Sequence, residues 1–91
     1  MSVVERELRI VNRLGLHARA AAKLANIASS FRASIQVEKD GHVADAKSVM
    51  GMLLLCGQIG TTIRIRAEGD DAAEAVESIA ALVEGRFGEA Q

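Results

Sequence analysis

From Thr61 to Glu68 the chain alternates without a break: Ile63, Ile65 and Ala67 fall on one side, and Thr62, Arg64, Arg66 and Glu68 on the other. Successive side chains of a strand point to opposite faces, so this segment reads as a half-buried strand. The first strand repeats the pattern, Leu8 and Ile10 alternating with Glu7, Arg9 and Val11. Charged outer positions on these two strands leave one face of the sheet solvated. Any helices must then stack on the other face, and the fold expected is a two-layer α/β sandwich.

The remaining segments supply those helices. Asn12-Arg13-Leu14-Gly15 breaks the first strand, and from Ala18 to Phe31 the residues Ala21, Leu24, Ala28 and Phe31 recur at helical spacing, with Arg19, Lys23, Asn26 and Ser30 on another face. Ile35 and Val37 mark a second strand. Asp40-Gly41 is a strong hairpin signal, so a short third strand from His42 to Asp45 should pair back on it. Ser48, a good N-cap, precedes the apolar run Val49 to Leu55; a short helix starting at Val49 is the reading adopted, with an apolar strand in competition because Gly51 weakens a helix. Gly69-Asp70-Asp71 opens a last helix whose Val76, Ile79 and Val83 share a face, with acids suited to the helix dipole and Gly85 near its end. The order is βαββαβα, in one domain over residues 1–91 with a loose C-terminal end.

With 91 residues the chain can bury one core. A net charge of -1, with no basic stripe interleaved with aromatics, argues against nucleic-acid binding. The start of the chain lacks the layout of a secretory signal, and no apolar stretch reaches the roughly 20 residues that span a membrane. Cys56 stands alone, which excludes an internal disulfide, and a cytoplasmic location is expected. His17 and His42 lie far apart without an acidic cluster, so neither a metal site nor a cofactor is expected. His42 reads as a solvated strand residue, and Cys56 as a small apolar residue at a helix end.

Gly15-Leu16-His17-Ala18-Arg19 places an imidazole where a loop gives way to an alanine-rich helix. The positive end of a helix favours the neutral ring, which can act as a nucleophile; once phosphorylated, the ring's new anion meets unpaired N–H groups and the Arg19 fork. A histidine that only caps the helix is the alternative. Ser48 likewise reads first as an N-cap. The run after it is more apolar than one helix face can bury, so Val49, Met50 and Leu53 are expected to form an exposed patch near His17, rimmed by Arg19, Lys23 and Lys47. Flexible methionine there suits a surface that meets several partners.

Gly15-Leu16-His17-Ala18-Arg19-Ala20-Ala21 resembles the active-site signature of the HPr family of phosphocarriers, from the phosphoenolpyruvate-dependent sugar phosphotransferase system. Ala46-Lys47-Ser48-Val49-Met50-Gly51 is similar to that family's regulatory serine motif, and Ala67-Glu68-Gly69 to the end of its fourth strand. The resemblance spans nearly the whole chain. It implies an α+β fold, an open-faced β-sandwich with four antiparallel strands in the order 1-4-2-3 and three helices on one face. It implies a carrier rather than an enzyme: His17 would accept a phosphoryl group on Nδ1 from phosphorylated enzyme I, with Arg19 assisting, and pass it to an enzyme IIA component. Ser48 would be the target of HPr kinase/phosphorylase, and transcriptional regulators are further implied partners of an expected monomer. The family's usual proline after the arginine is Ala20 here, which keeps the helix but loosens the placement of His17, altering transfer rates.

Other readings compete. A regulatory paralogue acting through phosphorylation-dependent protein binding is one, and the nitrogen-branch relative, NPr, is its sharpest form: Ala81-Leu82-Val83 followed by Gly85-Arg86-Phe87 resembles its tail, whereas the Ser48 motif favours the sugar type. An unrelated sandwich binding a small ligand would need a concave pocket that the sequence does not announce.

Overall fold

The computed structural model describes residues 2–91. Its elements are β1 (Val3–Arg9), α1 (Ala18–Ser29), β2 (Ser34–Lys39), β3 (His42–Asp45), α2 (Val49–Leu54), β4 (Thr62–Glu68) and α3 (Ala72–Glu84), followed by a 3-10 turn at Arg86–Gly88. The sheet runs β1-β4-β2-β3, and all its pairings are antiparallel. This is the βαββαβα open-faced sandwich implied by the family resemblance.

Alternation along β4 decides the layering. Ile63, Ile65 and Ala67 are fully buried, and Ile35 and Val37 on β2, Leu8 on β1 and Ile10 just past its end are buried with them. Burying such side chains contributes about 1.5–3 kcal/mol each, which fixes the strand register because a one-residue slip would turn them outward. The opposite face is polar. There Glu5 stands across from Arg66 and Glu7 across from Arg64, with N–O distances of 3.3 and 3.4 Å. Exposed pairs like these contribute little stability, but they keep that face wet.

Onto the apolar face α1 lays Ala20, Ala21, Leu24, Ala25 and Ala28, and α3 lays Val76, Ile79, Ala80 and Val83. Phe31 lies just past the end of α1 and is half-buried against the same core. The run after Ser48 is a helix, not a strand. Gly51 costs helix propensity, yet a Cβ there would stand 3.3 Å from Ser48 Oγ, so glycine leaves room for the cap.

The N-cap of α3 uses its acid differently from expectation. Asp71 makes no side-chain bond to its own helix; its two carboxylate oxygens accept from the backbone N–H groups of Arg32 and Ala33, each at 2.9 Å. Those bonds tie the α1–β2 connection to the start of α3 and hold the Asp71 carboxyl below the usual range, the Arg32 amide being the largest cause. The acid in the first turn of α3 is Glu74.

The end of the chain, expected to be loose, folds back. Gly85 ends α3, then Arg86, Phe87 and Gly88 take positive φ values of 59, 54 and 78°. This left-handed run reverses the chain and drives Phe87 into the core, where it is fully buried. The Lys23 amine on α1 donates to the Phe87 carbonyl at 2.7 Å, and the Arg13 N–H donates to the Gln91 carbonyl at 2.9 Å.

Candidate functional site

Leu8 and Ile10 set an inward register at the end of β1, and two residues on, the same register places Asn12 inside. Its side chain is fully buried. One amide hydrogen goes to the Gly15 carbonyl at 2.8 Å and the other to Glu89 Oε1 at 3.0 Å. Asn12 Oδ1 has no hydrogen-bond partner among the described residues.

Gly15 makes the approach to the helix possible. With φ at 68° it adopts a left-handed conformation, and a Cβ there would lie 2.4 Å from the Gly57 carbonyl oxygen. That oxygen accepts from the Leu16 N–H at 2.7 Å, joining the loop before α1 to the loop after α2. His17 follows as the N-cap of α1, with extended backbone.

The His17 side chain does not cap its helix. The first helical bond is from the Ala21 N–H to the His17 carbonyl, at 2.8 Å, so the amides of Ala18, Arg19 and Ala20 precede the helical ladder. Alanine at position 20 retains an N–H that proline would lack. Instead of turning to these amides, the ring bonds through Nε2 to Glu89 Oε2, with side-chain exposures of 28% and 17% that keep the contact partly shielded from water. Bonds from Asn12 and then His17 draw the Glu89 carboxyl below its usual range, and Lys23 adds a smaller attraction.

Arg19 is exposed and makes no hydrogen bond or ion pair to the described residues. Lys23 and Lys47, expected at the rim of an apolar patch, are half-buried, and their amines are committed to backbone carbonyls, Lys23 to Phe87 at 2.7 Å and Lys47 to Phe31 at 2.9 Å. Ser48 caps α2, its Oγ accepting from the Gly51 N–H at 3.0 Å.

The exposed face of α2 also differs in one member. Val49 and Met50 are exposed as expected, but Leu53 is half-buried against the core and Leu54, at 77%, is the exposed leucine. Helical spacing explains this: Met50 and Leu54 lie four residues apart on one face, while Met52 and Leu55 share the buried one. Leu14 and Ile59 add exposed apolar surface on the two loops joined at Leu16 and Gly57. Among the described residues no metal-binding cluster occurs and no helix is long and apolar enough to cross a membrane.

The fold is thus an open-faced sandwich with a histidine at a helix start whose first-turn amides it does not cap, an arrangement that can receive an anionic group. Residues 4–85 match the family model described as PTS HPr component phosphorylation site. The chain is 40% identical over 89 residues to phosphocarrier protein HPr of Cupriavidus necator, covering 98% of this chain and 100% of that one. It is 47% identical over 90 residues to phosphocarrier protein NPr of Shewanella violacea, covering 99% of each. It superposes with a TM-score of 0.93 at 42% identity on the crystal structure of HPr-C-His from Thermoanaerobacter tengcongensis, covering 97% of this chain and 99% of that one. The chain belongs to the HPr family. It is a phosphocarrier of the phosphotransferase system, a relay protein that forms a phosphohistidine and works with enzyme I and enzyme IIA components.

Proposed function

We propose that His17 is the residue that carries the phosphoryl group, on Nδ1, taking it from phosphorylated enzyme I and giving it to an enzyme IIA. The observation that carries this reading is the open N-terminus of α1. His17 occupies the N-cap position without capping, so the amides of Ala18, Arg19 and Ala20 and the dipole of a 12-residue helix are left to an incoming anion. Arg19, free of any carboxylate partner among the described residues, supplies a cation to the phosphoryl oxygens. Transfer between proteins needs positioning and charge stabilisation more than a pocket, and the partner brings the rest. Residues 1–91 act as one domain, as a cytoplasmic monomer.

Val49, Met50 and Leu54 form the apolar part of the docking face, with Leu53 as its half-buried floor. Lys23 and Lys47 contribute their stems and a full positive charge held in place by one bond each to a backbone carbonyl. Ser48 beside this face is the regulatory position. A phosphate there adds about −1.5 to −2 charges at a helix start, which the fold tolerates and an acidic partner does not. HPr kinase/phosphorylase and phosphorylation-sensitive regulators fit that role. The likeness to an NPr protein supports a second reading, service in the nitrogen branch.

Incubation with enzyme I and phosphoenolpyruvate, read by intact mass before and after acid, tests the carrier assignment. One acid-labile phosphoryl group is expected, absent from His17→Ala; wild-type protein that stays unlabelled beside active enzyme I refutes it. Incubation with HPr kinase and ATP should give an acid-stable label lost in Ser48→Ala, and label persisting in that variant moves the regulatory site elsewhere.

A further inference from the structure

We infer that Glu89, held by Asn12, is a positioning residue for phosphoryl transfer: it keeps the His17 proton on Nε2, leaves Nδ1 free as the nucleophile, and balances the ring's charge once Nδ1 is phosphorylated. The inference rests on His17 being the carrier. It concerns a residue outside the 4–85 stretch that matches the family model.

The geometry is a chain of three side chains. Buried Asn12 has both amide hydrogens committed, one to the Gly15 carbonyl and one to Glu89 Oε1, so its orientation is fixed: a flip would set its oxygen against two acceptors. Glu89 then presents Oε2 to Nε2 of His17. A carboxylate only accepts, so the ring must donate, and a neutral imidazole with its hydrogen on Nε2 has its lone pair on Nδ1. The tail that carries Glu89 is anchored by buried Phe87, by Lys23 on the Phe87 carbonyl and by Arg13 on Gln91. The charged groups beside the carboxylate are Lys23 from α1 and, from the loop before it, Arg13, which bonds Gln91 and lines the same surface as Glu89.

In the transfer step the Nδ1 lone pair attacks phosphorus and a nitrogen–phosphorus bond forms. The bond from phosphorus to the donor's leaving atom breaks, and its electron pair goes to that atom. No proton has to move: Nε2 keeps its hydrogen, the ring becomes cationic, and the neutral-ring hydrogen bond to Glu89 becomes an ion pair, stronger than the bond it replaces. Return of the phosphoryl group to an acceptor reverses each change.

Asn12 makes the test specific. In Glu89→Gln the amide oxygen stays with the Asn12 donor, which puts the new NH2 group against Nε2 and drives the ring proton to Nδ1. Glu89→Ala removes the contact and leaves the ring to water. A role confined to anchoring the tail predicts that alanine is at least as damaging as glutamine; positioning predicts the reverse. Expected results are ring-nitrogen NMR signals showing the Nε2–H form in wild type and the Nδ1–H form in Glu89→Gln. Phosphoryl transfer from enzyme I should be roughly tenfold slower in Glu89→Gln than in Glu89→Ala. Asn12→Ala should relieve the glutamine defect, because the amide can then turn its oxygen to the ring. Equal tautomers in wild type and Glu89→Gln, or transfer no slower in Glu89→Gln than in Glu89→Ala, overturns the inference. Wild-type protein that takes no label from enzyme I refutes the carrier reading instead, while the nitrogen signals still report whether Glu89 sets the tautomer.

Discussion

Helices α1 and α2, linked by the contact between the loop before α1 and the loop after α2, begin in opposite ways. Ser48 closes the N-terminus of α2 with its own hydroxyl, bonding the Gly51 amide at 3.0 Å. His17, in the same position on α1 and with similarly extended backbone, turns its side chain away to Glu89 and leaves the first-turn amides open. Local propensity would put serine at both places, since a side-chain cap contributes about 0.5–2 kcal/mol. The chain forgoes that stabilisation at α1 and takes it at α2. The difference separates a terminus built to hold an anion from one built to hold the helix together, and at Ser48 a phosphate would have to displace the existing cap.

Replacing His17 with serine is the most severe way to break the contrast. The backbone already has the geometry of a cap, so His17→Ser should close α1 as α2 is closed. Phosphoryl transfer from enzyme I is then lost, by at least about 10³-fold, while the melting temperature holds or rises. A variant that melts well below wild type would show that the open terminus is not a sacrifice of stability. Gly15→Ala attacks the loop instead. The left-handed backbone and the close Gly57 oxygen predict a cost of about 2–4 kcal/mol in chemical denaturation, together with slower transfer as the loop shifts. Unchanged stability would mean that the approach of the two loops does not set the position of His17.

At α2 the corresponding change is milder. Ser48→Ala should cost about 0.5–2 kcal/mol, from one lost cap on a six-residue helix, and His17 should still accept a phosphoryl group. Destabilisation beyond that range would give Ser48 a structural role larger than its single bond.

The contrast was only half legible in the sequence. Strand alternation and hairpin chemistry are local, and they placed β1, β2, β3 and β4 and the open sheet face. The N-cap role of Ser48 is local as well. The partner of His17 is not, because Glu89 lies 72 residues away and reaches it only after Phe87 is buried and the chain reverses through left-handed residues. Two signals pointed that way. Asn12 continues the inward register of Leu8 and Ile10, and a polar side chain facing a core needs a partner. Phe87 is a large apolar residue just beyond the last helix, and such a residue rarely remains in solvent. Leu53 and Leu54 were a matter of phase: adjacent leucines on a short helix cannot share a face, and only the packing of Met52 and Leu55 settles which turns out.

A third helix start sharpens the comparison by the smallest effect. Asp71 at the N-cap of α3 neither caps nor waits for a ligand; its carboxylate accepts from the Arg32 and Ala33 amides and so fastens a loop. The folded state therefore holds this group below the ordinary aspartate range, chiefly through the Arg32 amide. Because the folded value is depressed, the stabilisation is complete above the unfolded-state value near pH 3.9 and is lost as pH falls through the lower folded value. Asp71→Asn, which does not titrate, should lower stability slightly at neutral pH and flatten the loss on acidification, so that mutant and wild-type stabilities converge at the acid end. Glu89 is depressed in the same direction, so it is the difference between the Asp71→Asn and wild-type curves, not the acid dependence of either alone, that reports Asp71. Parallel curves, with the difference unchanged from neutral to acid, would mean that the bonds to the loop amides do not depend on the charge of the carboxylate.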